Sequence, residues 1–210
     1  MSALVSAIFV QICYGEIMKK LSAYLFLFIL SFSMPSNADD IKEFEIEGIS
    51  IGDNLLDHFS KKIIKKNTKD YYNNDEYTAV EFRDSLFKNY DGAQIHYKTK
   101  DNKYIIYALD FVLEFKNNFD QCFKKQDQIV NDLSDTFVSI VIEKKQNIKH
   151  PQDKSGNSKV TSVYLNFDSG DYASVECYNW SDKMGYPDQL RVSITLRELS
   201  DWLNIPNIYK

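Results

Sequence analysis

Residues 103–116 place an apolar side chain at every second position: Ile105, Tyr107, Leu109, Phe111, Leu113 and Phe115. Strict alternation over this length is the period of a half-buried β-strand, and it commits the chain to a sheet with a face to cover. Two more strands precede it, at 77–83 and 93–99, with Asp101-Asn102 as a hairpin turn before the long one. Three follow at 160–167, 172–180 and 189–196, joined by the turn Asp168-Ser169-Gly170-Asp171 and by a connection containing MGYPD.

Helical spacing supplies the cover. Leu55, Leu56, Phe59 and Ile63 recur as one face of an amphipathic helix over 54–66, which Asp53 would cap. Asp57 near its start and Lys65-Lys66 near its end complement the helix dipole. A longer helix from about 119 to 145 carries Phe119, Phe123, Val130, Leu133, Phe137 and Val141, although its FVSIVI end also reads as a strand. Leu196, Leu199 and Leu203 suggest a short closing helix. Ahead of them all, Phe44, Ile46, Ile49 and Ile51 alternate, and KKQNIKHPQDKSGNSK reads as a solvated loop. The expected fold class is α+β: an antiparallel sheet of about six strands, with a long helix and shorter helices packed on one face.

The first forty residues read differently. Lys19-Lys20, an apolar run from Leu21 to Phe32 and the small residues Ser36 and Ala38 form the head, core and exit of a secretory signal over 18–38. The run falls short of the roughly 20 apolar residues a membrane helix needs. Cleavage after Ala38 is expected, the alternative being an uncleaved anchor. Residues 1–17 read as a start-site overcall ahead of Met18, and Cys13 lacks a lipoprotein pattern. A single domain over 39–210 remains. Removing two lysines and one glutamate takes the net charge from −5 to −6, which leaves no basic footprint for nucleic acid. No membrane span is expected after cleavage, and the compartment is periplasmic or extracellular.

That domain holds two cysteines, Cys122 and Cys177. In an oxidising compartment they are first read as a disulfide, with Cys122 on the apolar helix face beside Phe119 and Phe123 and Cys177 beside Ala173 and Val175. Buried free thiols or a metal or catalytic pair are the alternatives. No nucleophile elbow, zinc-protease, phosphate-loop or dinucleotide motif occurs. His58, His96 and His150 fall on a helix, a strand and a loop, and each reads as a surface residue. Asp153 to Asn157 lacks the glycine position and terminal Glu of a calcium loop and reads as a turn. Tyr172, Tyr178 and Trp180 could form an outward aromatic row and so a binding surface; the competing reading is a second packing surface.

The stretches FEIEGISIGDNLLDHF, LEFKNNFDQCFKKQDQIVNDLS and SGDYASVECYNW with LRVSITLRELSDWL resemble a family of uncharacterised exported proteins of AT-rich marine alphaproteobacteria. The likeness covers almost all of residues 39–210 and implies export but no activity. GISIGDNLLDHF is also similar to the entry strand and helix of small envelope and inhibitor folds. The expectation is therefore an exported envelope protein that works by contact with an unknown envelope protein or small ligand. It would need no cofactor and no metal. The alternative is a hydrolase-type enzyme whose site is dispersed along the chain.

Overall fold

A computed structural model describes residues 41–83, 86–116 and 118–210. The signal segment, its cleavage point and residues 1–17 lie outside the described residues. Alternating Phe44 to Ile51 does not run as one strand. It folds on itself as a hairpin of β1 (Glu45–Ile46) and β2 (Ile49–Ser50). Glu47 and Gly48 make the turn, both with positive φ, as a tight two-residue hairpin requires.

The helix expected over 54–66 is two. α1 (Leu55–His58) starts at Asn54, whose side chain accepts the Leu56 N–H at 2.9 Å, so the cap falls one residue after Asp53. Asp53 instead accepts the Ser50 N–H and meets His58 Nε2 at 3.0 Å. Ser60 breaks the run and caps α2 (Lys61–Asn67) through the Ile63 N–H. Lys65 and Lys66 do close its last turn. The helical period survives the break because Leu55 and Ile64 both reach the core.

The main sheet has eight antiparallel strands rather than about six. They are β3 (Thr68–Lys69), β4 (Tyr77–Arg83), β5 (Gly92–Lys98), β6 (Ile106–Glu114), β7 (Ile140–Lys149), β8 (Lys159–Phe167), β9 (Tyr172–Asn179) and β10 (Gln189–Thr195). Their order is β3-β4-β5-β6-β10-β9-β8-β7. Each half of the chain thus gives a helical segment and then a four-stranded meander that runs from an outer edge to the centre. The two meanders meet at the antiparallel β6–β10 pair.

Both unpredicted strands lie at the edges. β3 is two residues long, too short to leave a pattern. β7 occupies a stretch expected as helix end and solvated loop; α3 (Asp120–Thr136) stops at Phe137, and Ile140 onward pairs with β8. The β-branched run Ile140-Val141-Ile142 favours a strand, but nine of the ten β7 residues are exposed, so no alternation in burial marks it.

Alternation in β6 is also interrupted. His96 pairs with Ala108 and Tyr97 with Ile106, which leaves Tyr107 as the extra residue of a bulge. Ile106, Leu109 and Phe111 therefore share the main core, while Tyr107 and Ala108 face the other side. Ile105 is not in register with Leu109.

Helices cover both faces, not one. α1, α2 and α3 pack on the first face against Val80, Phe82, Ile95, Leu109, Phe111, Val175 and Val192. Cys122 of α3 and Cys177 of β9 meet there, both fully buried, with Cα atoms 6.0 Å apart and sulfurs at disulfide distance. Gln126, one turn on, donates to the Thr161 and Val175 carbonyls and ties α3 to the sheet. α4 (Arg197–Leu203) turns the other way. Its Leu199 and Trp202 join Tyr72, Tyr77, Ala79, Ala108 and Ile208 on the second face. Gly170 makes the β8–β9 turn tight at φ +86, where an added Cβ would strike Arg197 at 2.6 Å.

Candidate functional site

α4 and the segment after it cover only part of the second face. The rest is polar, and strand register lays it out in rows. One row runs Ser162, Glu176, Arg191 across β8, β9 and β10. The next runs Tyr164, Ser174, Ser193, Asp110, Gln94, Glu81 across six strands. Ser162, Ser174, Glu176 and Ser193 are all buried. Burying polar groups is tolerated when their hydrogen bonds are made, so the partners matter.

Glu176 accepts three hydrogen bonds. Ser162 donates to it at 2.7 Å, Tyr164 at 3.1 Å and Tyr178 at 2.8 Å. Asp110 is half engaged: the Ser193 hydroxyl donates to Oδ1 at 2.5 Å, while Oδ2 lies 3.7 Å from His96 Nδ1. That separation is too long for a hydrogen bond and short enough for charge to act. His96, 3% exposed, has Nε2 at 2.7 Å from the Tyr72 hydroxyl. Burial lowers the His96 pKa against the opposing pull of Asp110, so the ring is neutral. The carboxylate favours the proton on Nδ1, which leaves Nε2 to accept from Tyr72. Burial raises the Tyr72 pKa, so this hydroxyl keeps its proton.

Arg191 sits between these groups and bonds to none of them. Glu176 is its direct cross-strand neighbour, yet no carboxylate among the described residues comes within 4 Å of the guanidinium. Its plane lies over the Tyr178 ring, 5.0 Å from the centroid. Burial pulls its pKa down, but Tyr178, Asp110 and Glu176 outweigh that and hold it charged. Arg191 Nε is buried without a hydrogen-bond partner.

Aromatic side chains cluster about Tyr178, the ring beneath the guanidinium. Tyr178 stacks on Trp180 at 5.3 Å and 18°, and Trp180 meets His150 at 4.5 Å and Tyr186 at 5.1 Å. Tyr209 lies 5.5 Å from Tyr72 on the opposite side. The Tyr186 phenol reaches far enough to raise the Tyr71 pKa, after burial and the Glu81 carboxylate. Asp153 secures the loop that carries His150. It accepts from Ser155, Ser158 and Ser181, and the Ser158 and Ser155 hydroxyls hold its pKa well below the usual carboxylate range. The 153–157 stretch is the expected turn, with Gly156 at φ +70.

The expected aromatic row is therefore packed rather than outward. Tyr178 is 8% exposed, and Tyr172 and Trp180 are half-buried. Cross-strand neighbours and the 150–158 loop cover them, because a strand in the middle of a sheet has neighbours on both sides. His96 is likewise a buried residue and not a surface one. Arg191, Glu176, Asp110 and His96 were not singled out as a site by the sequence. Each alternates with core residues, a pattern that reads as a wetted sheet face until α4 and the loops are seen to close over it. Among the described residues no cluster of three or more His, Cys, Asp or Glu could hold a metal ion.

The fold and this face define an α+β domain built on one large antiparallel sheet, with an apolar face under three helices and a polar face under aromatic side chains. No family model, curated protein or solved structure matches the chain.

Proposed function

We propose that this is an exported envelope protein that works by binding, and that its ligand seats on the second sheet face against Arg191. The carrying observation is a concentration of unmet hydrogen bonding. Four buried side-chain polar atoms among the described residues lack a partner: Tyr77 Oη, His96 Nδ1, Trp180 Nε1 and Arg191 Nε. Three of these belong to the cluster just described. Each unmet group costs about 1–3 kcal/mol, and such a cost collected in one place is what a ligand relieves. Export is supported by the signal-like segment at 18–38 and by sulfurs at disulfide distance. The resemblance to exported proteins of marine alphaproteobacteria points the same way.

One arrangement favours catalysis instead. Tyr72, His96 and Asp110 line up as a hydroxyl, an imidazole and a carboxylate, which is the logic of an activated nucleophile. The Tyr72 pKa is raised rather than lowered, however, and the ring is buried beneath Trp202 and Tyr209. A nucleophile needs the opposite on both counts.

Native protein recovered from envelope extract, stripped of bulk solutes and denatured for mass spectrometry, tests the binding reading. A low-mass compound should accompany the native protein and be lost from Arg191→Gln. Identical profiles for the two proteins would overturn it.

A further inference from the structure

Charge and hydrogen-bonding capacity on this face narrow what it can hold. A cationic ligand would meet the Arg191 guanidinium. An anionic one would meet Asp110 and Glu176, which already outnumber the single positive charge. Three hydroxyls already donate to Glu176, two to Oε1 and one to Oε2. Among the described residues Asp110 takes its hydrogen bond at Oδ1, leaving Oδ2 3.7 Å from His96 Nδ1, and Arg191 Nε is buried without a partner. Asp110 pairs with Ser193, two positions along β10 from Arg191, so the open acceptor and the open donor are diagonal neighbours on one face. Trp180 Nε1 is a second buried donor without a partner. Tyr186, packed on Trp180, and Tyr209, packed on Tyr72, remain 51% and 46% exposed at the margin.

We propose that the ligand is an uncharged sugar. This rests on the binding reading above. Adjacent hydroxyls on a pyranose accept from a guanidinium and donate to a carboxylate at once, without adding charge to a site whose charges already oppose one another. The C–H face of the ring lies against aromatic side chains. A carboxylate or phosphate ligand would satisfy Arg191 but leave Asp110 Oδ2 both unpaired and repelled.

Trp180 and Trp202 are the only tryptophans in the chain, so Trp202→Phe leaves Trp180 as the sole indole reporter beside the site. The oxidised protein is titrated with glucose, galactose, mannose and N-acetylglucosamine, and with a panel of neutral oligosaccharides of these units. Sodium acetate, sodium phosphate and tetramethylammonium are titrated in parallel. The Arg191 Nε–H resonance is followed in the protein with both tryptophans. A saturable change in both signals with at least one neutral sugar is expected. Arg191→Gln should weaken binding roughly tenfold or more, the loss typical of a hydrogen bond to a charged group. Tyr186→Ala, at a position 51% exposed, should weaken it as well. Saturation only with acetate, phosphate or tetramethylammonium, or with none of the probes, overturns the proposal. A charged compound recovered from native protein would overturn the sugar and leave the binding site standing.

Discussion

His96 is the residue whose chemistry depends most on its surroundings. Tyr72, Asp110 and Arg191 face it, and the ring is buried. Burial, followed by Arg191, lowers the folded pKa against Asp110, while the unfolded chain protonates near the ordinary 6.5. Below pH 6.5 the unfolded state therefore binds more protons, and stability falls as pH drops toward the folded value. His150, lowered by burial and then by Arg191, adds to the same slope. Urea denaturation at pH 7.5 and pH 5.5 should show a loss on acidification that His96→Asn reduces. An unchanged difference in the variant would mean that His96 is not the group responsible. At the cysteines, a bond closing 55 residues stabilises by about 4 kcal/mol in the chain-entropy view. Cys122→Ser should lower stability by an amount of that order, and reductant should destabilise the wild type but not the variant.

At the level of elements, capping decides where the first helical segment stops and restarts. Asn54→Ala removes the acceptor for the Leu56 N–H and should cost about 1 kcal/mol in denaturant unfolding, whereas Asp53→Ala should leave α1 capped. The β7 edge poses a different problem. Among the described residues this ten-residue strand pairs with a neighbour on one side only, and Val141 and Ile142 are exposed, a combination that invites pairing with another chain. Glu143, Lys144, Lys145 and Lys149 answer it with charge. A register shift between Lys145 and Ile148, with Asn147 at φ 51, bends the strand. Replacing Lys144 and Lys145 with threonine should keep the strand but cause concentration-dependent association. Size-exclusion chromatography and light scattering would detect it, and a monomer at all concentrations would show that the bulge alone protects the edge.

For the whole molecule, the two sheet faces have opposite solvents. The first is apolar and sealed by α1, α2 and α3, so substitutions there act on stability: Phe111→Ala should cost about 3–5 kcal/mol. The second has its polar groups held in place by α4 on one side and the Asp153-anchored loop on the other. Arg191→Gln removes the guanidinium's contact with the Tyr178 ring and its attraction to Asp110 and Glu176, so its cost in folding is measured by denaturant unfolding beside its loss in binding.

The sequence by itself determined what periodicity and local chemistry can carry. Six of the eight sheet strands follow from alternation to within a few residues, as do α4, the core of α3 and the meeting of Cys122 with Cys177. Local pattern fails where pairing outvotes it. Two-residue β3 and solvent-bathed β7 exist because a neighbouring strand offers hydrogen bonds, and the Tyr107 bulge shifts one strand against its own alternation. The candidate site is the extreme case. Arg191, Asp110, Glu176 and His96 come from four strands spread over 96 residues of chain, and each looks locally like a solvated position. Only the closing of the β6–β10 pair and the covering of the second face bring them together, since burial belongs to a residue's three-dimensional neighbours and not to its place in the chain.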